Sequence, residues 1–291
     1  MTKTAWVFPG QGSQQQGMGT DLLHLPLAKD KLAQAEEILG WSVSEICQND
    51  EELARTLYTQ PCLYVVESIL ADMMRVHEQP DLVAGHSLGE YTALYVAKVF
   101  DWSTGLQLVK HRASLMENAA GGMMAALIDC DREQLDKVIA EIPNVVLAND
   151  NSPTQVVISG TPEAVQTVMS KVKAKRALPL KVSGAFHSPL MADAAAEFQE
   201  ALKLVEFQQA FVPVLSNVEP VPTVDPNLLK QRLIQQISSP VRWRETSLAL
   251  SENAVKRVVE IGPRNVLTGL AKRTCPDFIL ENVRSAADLP A

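Results

Sequence analysis

Leu82-Val83-Ala84-Gly85-His86-Ser87-Leu88-Gly89-Glu90 is the stretch on which the fold turns. Leu82 to Ala84 read as a buried strand, and the residues from Glu90 to about Val99 read as a helix. Between them stands G-x-S-x-G, the sequence of a sharp strand-to-helix turn. Glycines at 85 and 89 leave out the Cβ atoms that would crowd such a turn. The Ser87 hydroxyl then projects at the carboxyl end of a strand and over a helix N-terminus, where free N–H groups and the helix dipole favour developing negative charge. Taken alone, five residues also fit a serine that only caps a helix. The strand-turn-helix setting is what favours a nucleophile.

Working outward, short apolar runs alternate with amphipathic helices, the pattern of an α/β protein with helices on both faces of its sheet. Further core strands are predicted at Ala5 to Phe8, Val212 to Ser216, Arg257 to Ile261 and Phe278 to Asn282. Helices are predicted over Cys62 to His77, Ser103 to Asn118, Pro189 to Val205, Asn227 to Ile237 and Val266 to Arg273. One segment has a rhythm of its own. Strand (Met124 to Ile128), helix (Arg132 to Ile142), strand (Val145 to Asn149), strand (Gln155 to Ser159), helix (Pro162 to Lys173) and strand (Ala177 to Val182) follow each other in ferredoxin-like βαββαβ order. Thr161-Pro162 opens its second helix with an N-cap and a proline at the first helical position. The expected architecture is an α/β-hydrolase-like parallel-sheet core, residues 1–122 and 190–291, interrupted by a ferredoxin-like small subdomain, residues 123–189. A cleft between the two is the place to look for a site.

Composition narrows the function. The chain has 291 residues, 46% hydrophobic and 21% charged, with a formal net charge of -8. That supports a sizeable core without staples and argues against nucleic acid or an anionic membrane as a partner of the whole surface. Cys47, Cys62, Cys130 and Cys275 form no C-x-x-C pair, so neither a zinc site nor a disulfide framework is expected. The N-terminal run lacks a signal-peptide apolar region, and no stretch approaches the roughly 20 apolar residues of a membrane span. A cytoplasmic monomer without metal or redox cofactor is the expectation.

Serine at neutral pH needs a base. Of the five histidines, His24 and His77 sit in polar surroundings near helix ends, His111 lies between Lys110 and Arg112, and His86 adjoins the serine. His187, in Gly184-Ala185-Phe186-His187-Ser188-Pro189, leaves the inserted unit and re-enters the large one, which suits a base in the cleft. Phe8-Pro9-Gly10-Gln11-Gly12-Ser13-Gln14 forms a tight loop after the first strand. It reads as a simple connection, or as a loop bordering the serine turn; the full phosphate-loop fingerprints are missing.

Five motifs occur in one order: Phe8-Pro9-Gly10-Gln11-Gly12-Ser13-Gln14, Gly85-His86-Ser87-Leu88-Gly89-Glu90, Asn151-Ser152-Pro153, Gly184-Ala185-Phe186-His187-Ser188 and Glu260-Ile261-Gly262-Pro263. Together they resemble the malonyl-CoA:acyl carrier protein transacylases of type II fatty acid synthesis, over nearly the whole chain. One departure is Thr154, where such proteins often carry glycine. The resemblance implies Ser87 as acylated nucleophile and His187 as general base, with the main-chain N–H groups of Gln11 and Leu88 as oxyanion hole. It implies Arg112 as the clamp on the free carboxylate of malonate, with Gln60, Phe186 and His86 lining the pocket. It assigns the histidine-orienting backbone carbonyl to Gln236. Malonyl-CoA and acyl carrier protein are the implied partners, and no cofactor is required.

A rival with the same serine motif is an α/β-hydrolase. It calls for a Ser–Asp–His order and a His-Gly-Gly oxyanion segment, neither of which stands out. One further local feature fits a carrier. No acidic residue falls between Ala164 and Ala192, whereas Lys171, Lys173, Lys175, Arg176 and Lys181 do. Such a basic strip would steer an acidic protein or coenzyme A phosphates. By resemblance Lys175 and Arg176 are its docking residues; a solvated helix end is the plainer alternative.

Overall fold

The computed structural model describes residues 2–119, 121–182 and 184–290. Its strands in chain order are β1 (Lys3–Phe8), β2 (Leu82–Gly85), β3 (Met123–Cys130), β4 (Val145–Ser152), β5 (Gln155–Gly160), β6 (Ala174–Pro179), β7 (Val214–Leu215), β8 (Val255–Ile261) and β9 (Ile279–Val283). The longer helices are α1 (Pro26–Leu39), α2 (Thr56–Met74), α3 (Gly89–Val96), α4 (Trp102–Asn118), α5 (Arg132–Glu141), α6 (Pro162–Lys171), α7 (Ala192–Lys203), α8 (Pro226–Gln236), α9 (Trp243–Glu252) and α10 (Val266–Thr274).

Five strands pair in parallel in the order β7-β2-β1-β8-β9. The central strand β1 has no polar face because both of its faces are covered. Trp6 and Phe8 enter a core shared with Leu63 and Leu70 of α2, whereas Ala5 and Val7 pack with Trp243, Leu250 and Leu267 of α9 and α10. Four antiparallel strands form a second sheet in the order β4-β5-β3-β6. That order, with α5 and α6 on one face, is the ferredoxin-like arrangement expected from the βαββαβ rhythm. Ala125, Leu127, Val156 and Ile158 turn toward these helices, and the alternate residues Met124, Ala126 and Val157 turn toward the large core.

Where element limits differ from the expected ones, local chemistry accounts for it. The strand expected from Val212 shrinks to two residues, since Pro213 has no N–H to give a ladder and supplies only its carbonyl, to Val83 N at 3.0 Å. The expected strand from Ala177 begins at Ala174, because β6 is an edge strand and tolerates outward Lys175 and Arg176. Helix α2 begins six residues before the expected Cys62 and runs through Pro61, since burial of nearly its whole circumference outweighs one missing backbone bond. Pro189–Met191 form a separate 3-10 turn ahead of α7. With Thr154 in its turn, the β4–β5 hairpin closes, and Thr154 O accepts from Asp129 N at 2.8 Å.

The serine turn explains its glycines. A Cβ on Gly85 would lie 1.9 Å from the Gly89 carbonyl carbon, and one on Gly89 would lie 2.0 Å from Phe8 O. Neither contact is possible without moving backbone. Helix α3 therefore starts directly against the end of β1, and Ser87 is held at φ 53°.

The small sheet is fastened to the segment that leads into α9 along a seam beside this turn. Asn149 of β4 bridges Val241 in parallel, Asp150 N donates to Val241 O (3.0 Å), and Val241 N donates to Ala148 O (2.9 Å). The Asp150 carboxylate receives Arg132 Nη2 from α5 and Arg244 Nε from α9, each at 2.8 Å.

Candidate active site

Ser87 opens into a cavity of about 390 Å³ between the sheets. The Ser87 Oγ lies 2.8 Å from His187 Nε2. His187 is 4% exposed, with φ 57°, and its own N–H is anchored to Ile237 O at 3.1 Å. Its Nδ1 faces two main-chain carbonyls, Gln236 O at 3.0 Å and Ser239 O at 3.1 Å. Carbonyls only accept, so the ring proton belongs on Nδ1 and the lone pair on Nε2 faces the serine. Burial, reinforced by the nearby Arg112 charge, pulls the His187 pKa down to about 3. The ring is therefore neutral at ordinary pH and able to take a proton.

Arg112 comes from the middle of α4 and is completely buried. Its Nη1 donates to Gln60 Oε1 (2.6 Å), and its Nη2 donates to Ser87 Oγ (3.0 Å) and Gln236 Oε1 (3.2 Å). The guanidinium carbon stands 5.4 Å from the centre of the Tyr91 ring. All three acceptors are uncharged, and among the described residues Nε has no hydrogen-bond partner. A desolvated guanidinium without a direct counter-ion is a strong attractor for a carboxylate in the cavity.

The other residues singled out by sequence divide in two. Gln11, Leu88, Phe186 and His86 line the same cavity as Ser87. Gln11 Nε2 donates to Thr56 Oγ1 at 3.1 Å, which ties its side chain to α2. His86 Nε2 pairs with Asn151 Oδ1 at 2.9 Å, and burial lowers its pKa. Lys175 and Arg176 lie apart from the cavity on the exposed edge of β6, with Lys175 3.9 Å from Asp129; only Lys181 of the basic strip lines the cavity.

Two residues that sequence reasoning missed hold the serine turn. Asn217 Oδ1 accepts from Ser87 N (2.7 Å), while its Nδ2 donates to Gly85 O (2.6 Å). The side chain thus splints the turn across its two ends. Glu90 is buried, and its Oε2 accepts from Asn217 N (3.1 Å) and Gln236 Nε2 (2.7 Å). The one available signal was Glu90 itself, a carboxylate in an otherwise apolar helix start. Gln236 connects everything: its Nε2 also donates to Ser87 O at 2.9 Å. Among the described residues no group of three or more His, Cys, Asp or Glu could hold a metal ion, and no helix is long and apolar enough to cross a membrane.

A half-buried serine on a strand-to-helix turn, paired with a buried histidine and with an arginine at the nucleophile, is machinery for moving acyl groups. The chain belongs to the acyl transferase domain family, whose model matches residues 5–290. It is 59% identical to the malonyl CoA-acyl carrier protein transacylase of Synechocystis sp. over 99% of both chains. The crystal structure of a Synechocystis sp. malonyl-CoA:ACP transacylase superimposes with a TM-score of 0.97, covering 98% of each chain. A Bacillus subtilis polyketide biosynthesis malonyl CoA-acyl carrier protein transacylase is 42% identical, covering 94% of this chain and 97% of its own. A malonyl-transacylase solved in complex with a type II polyketide acyl-carrier protein has a TM-score of 0.93 at 37% identity, covering 99% of this chain and 97% of its own.

Proposed function

We propose that this acyltransferase moves a malonyl group from malonyl-CoA to the phosphopantetheine thiol of acyl carrier protein, supplying fatty acid synthesis. The observation that carries the reading is Arg112 Nη2 at 3.0 Å from Ser87 Oγ, buried and, among the described residues, bonded to neutral groups. It offers a free acyl carboxylate its place directly beside the nucleophile. The 59% identity to a malonyl transacylase supports the same substrate.

In the first half-reaction Ser87 Oγ attacks the thioester carbonyl and its proton passes to His187 Nε2. The main-chain N–H groups of Gln11 and Leu88 receive the oxyanion, a type of donor whose loss costs about 10²–10³ in rate. As the C–S bond breaks, His187 returns the proton to the departing coenzyme A sulfur. In the second half-reaction His187 takes the proton of the carrier thiol, its sulfur attacks the ester, and the proton returns to Ser87 Oγ as the C–O bond breaks. A histidine backed by carbonyls is a weaker base than one backed by a carboxylate, which suits an ester that must outlast water and await a thiol.

Intact-mass analysis after brief exposure to malonyl-CoA tests this. Wild type should gain one malonyl group and Ser87→Ala none, and added acyl carrier protein should remove the group. Steady malonate release without a thiol would identify a hydrolase instead.

A further inference from the structure

Among the described residues, the hydrogen-bond acceptors of the buried Arg112 charge are two amide oxygens and a hydroxyl. An isolated buried charge is costly to maintain unless something compensates it. A carboxylate stands directly behind one of those amides. Glu90, 1% exposed, binds Gln236 Nε2 at 2.7 Å, and Gln236 Oε1 in turn meets Arg112 Nη2 at 3.2 Å. The amide cannot turn over. Its nitrogen faces two acceptors, Ser87 O and Glu90 Oε2, and its oxygen faces a donor. Burial pushes the Glu90 carboxyl up, and against it stand two N–H contacts to Oε2, the nearby Arg112 charge and the first-turn position in α3, where the helix dipole favours a negative charge.

We propose that Glu90 is the counter-charge of the malonate pocket, held one amide away from Arg112 so that it balances the guanidinium without occupying its Nη atoms and loosens the pocket's grip on a carboxylate. The inference rests on the assignment of malonate to Arg112 above. Direct pairing would block the substrate, and no counter-charge would hold malonate too tightly for onward transfer. Gln236 acts as the spacer between these extremes. Glu90 is a positioning residue in this scheme, since it meets Arg112 only through Gln236.

Glu90→Gln keeps the side-chain shape and an acceptor oxygen but removes the charge. Through a protein medium, a unit charge one amide away corresponds to about a 5- to 10-fold change in affinity. Free malonate should therefore inhibit the variant about 5- to 10-fold more strongly, and the malonyl-to-acetyl ratio of kcat/KM should rise by a similar factor. Glu90→Asp, which keeps the charge, should stay near wild type in both. If Glu90→Gln fails to fold, Glu90→Met supplies a second neutral variant of similar volume. Unchanged malonate inhibition in either folded neutral variant overturns the proposal, and so does an equal loss of malonyl and acetyl transfer. Absence of malonyl from wild-type Ser87 in the mass measurement defeats the functional reading itself; a labelled Ser87 with flat inhibition defeats only the role of Glu90.

Discussion

Ser87 and His187, whose side chains meet at 2.8 Å, both have left-handed backbone, φ 53° and 57°. For residues with a Cβ this conformation is strained, by about 1–3 kcal/mol each. At Ser87 the strain is held by bonds at both ends of the turn. Asn217 receives Ser87 N, and Gln236 donates to Ser87 O.

Ser87 variants separate that strain from chemistry. Ser87→Ala and Ser87→Gly should both fail to accept malonyl in intact-mass measurements. Thermal unfolding should nevertheless find Ser87→Gly more stable than Ser87→Ala by about 1 kcal/mol, because glycine adopts positive φ without a Cβ clash. Equal stabilities would mean the turn is not strained at this residue.

Protonation of His187 is expected to shape both activity and stability. Its pKa lies near 3 because burial, then Arg112, opposes the charged ring. The base stays neutral, so the acylation rate measured by rapid quench should show no histidine limb between pH 8 and 5. Stability follows the opposite logic. Between the ordinary histidine value of about 6.5 and the folded value, the unfolded chain binds a proton that the folded chain refuses. Stability is therefore lost as pH falls through that window, and His187→Gln should lessen the slope in urea titrations. His86, also lowered by burial, keeps part of it.

For Arg112→Ala, the kcat/KM for malonyl-CoA should fall about 10²–10³-fold while acetyl-CoA loses far less, so that the malonyl preference disappears. Unchanged selectivity would remove the clamp from the mechanism. The same variant leaves Gln60 and Gln236 oxygens without their donor, and chemical denaturation should register a loss of about 2–4 kcal/mol.

Removing the Asn217 splint should act on kcat rather than on binding. Asn217→Ala strands Ser87 N and Gly85 O in a buried turn, at a stability cost of about 2–3 kcal/mol. Acylation should slow by at least about tenfold with little change in the KM for malonyl-CoA, since the misplaced Oγ affects attack more than docking. A rise in KM at constant kcat would place Asn217 in substrate binding instead.

Docking is tested by comparing acceptors. If Lys175 and Arg176 guide acyl carrier protein, Lys175→Ala/Arg176→Ala should lower malonyl transfer to the carrier about tenfold at low salt and spare transfer to a small thiol. Equal loss with both thiols would sink the docking role.

The fold was largely legible because its decisive features are local. G-x-S-x-G, the continuous apolar Ala5 to Phe8 and the βαββαβ order of 124–182 each rest on residues close together in the chain. Ser87, Arg112 and His187 could be proposed from residue type and resemblance. Asn217 and Glu90 could not, because their roles depend on contacts between residues 130, 127 and 146 positions apart. Ser239 escaped for another reason: it contributes a main-chain carbonyl, and any side chain could accompany that atom. The start of β6 differs from expectation because the adjacent charges Lys175 and Arg176 look unlike a strand until the strand is known to be an edge.

Asp150 gives the seam between the small sheet and the segment leading into α9 a practical consequence for protein engineering. Its carboxylate grips α5 on one side and α9 on the other, and its own N–H joins Val241, two residues beyond the Ser239 carbonyl that faces His187. A chimera that exchanges residues 123–189 with those of a relative replaces Asp150 and Arg132 but leaves Val241 and Arg244 behind. Such hybrids bring in a new substrate wall together with His187, but leave behind the Ser239 carbonyl that orients its ring. Grafts that carry the 239–244 segment along with the small sheet keep lock and key together.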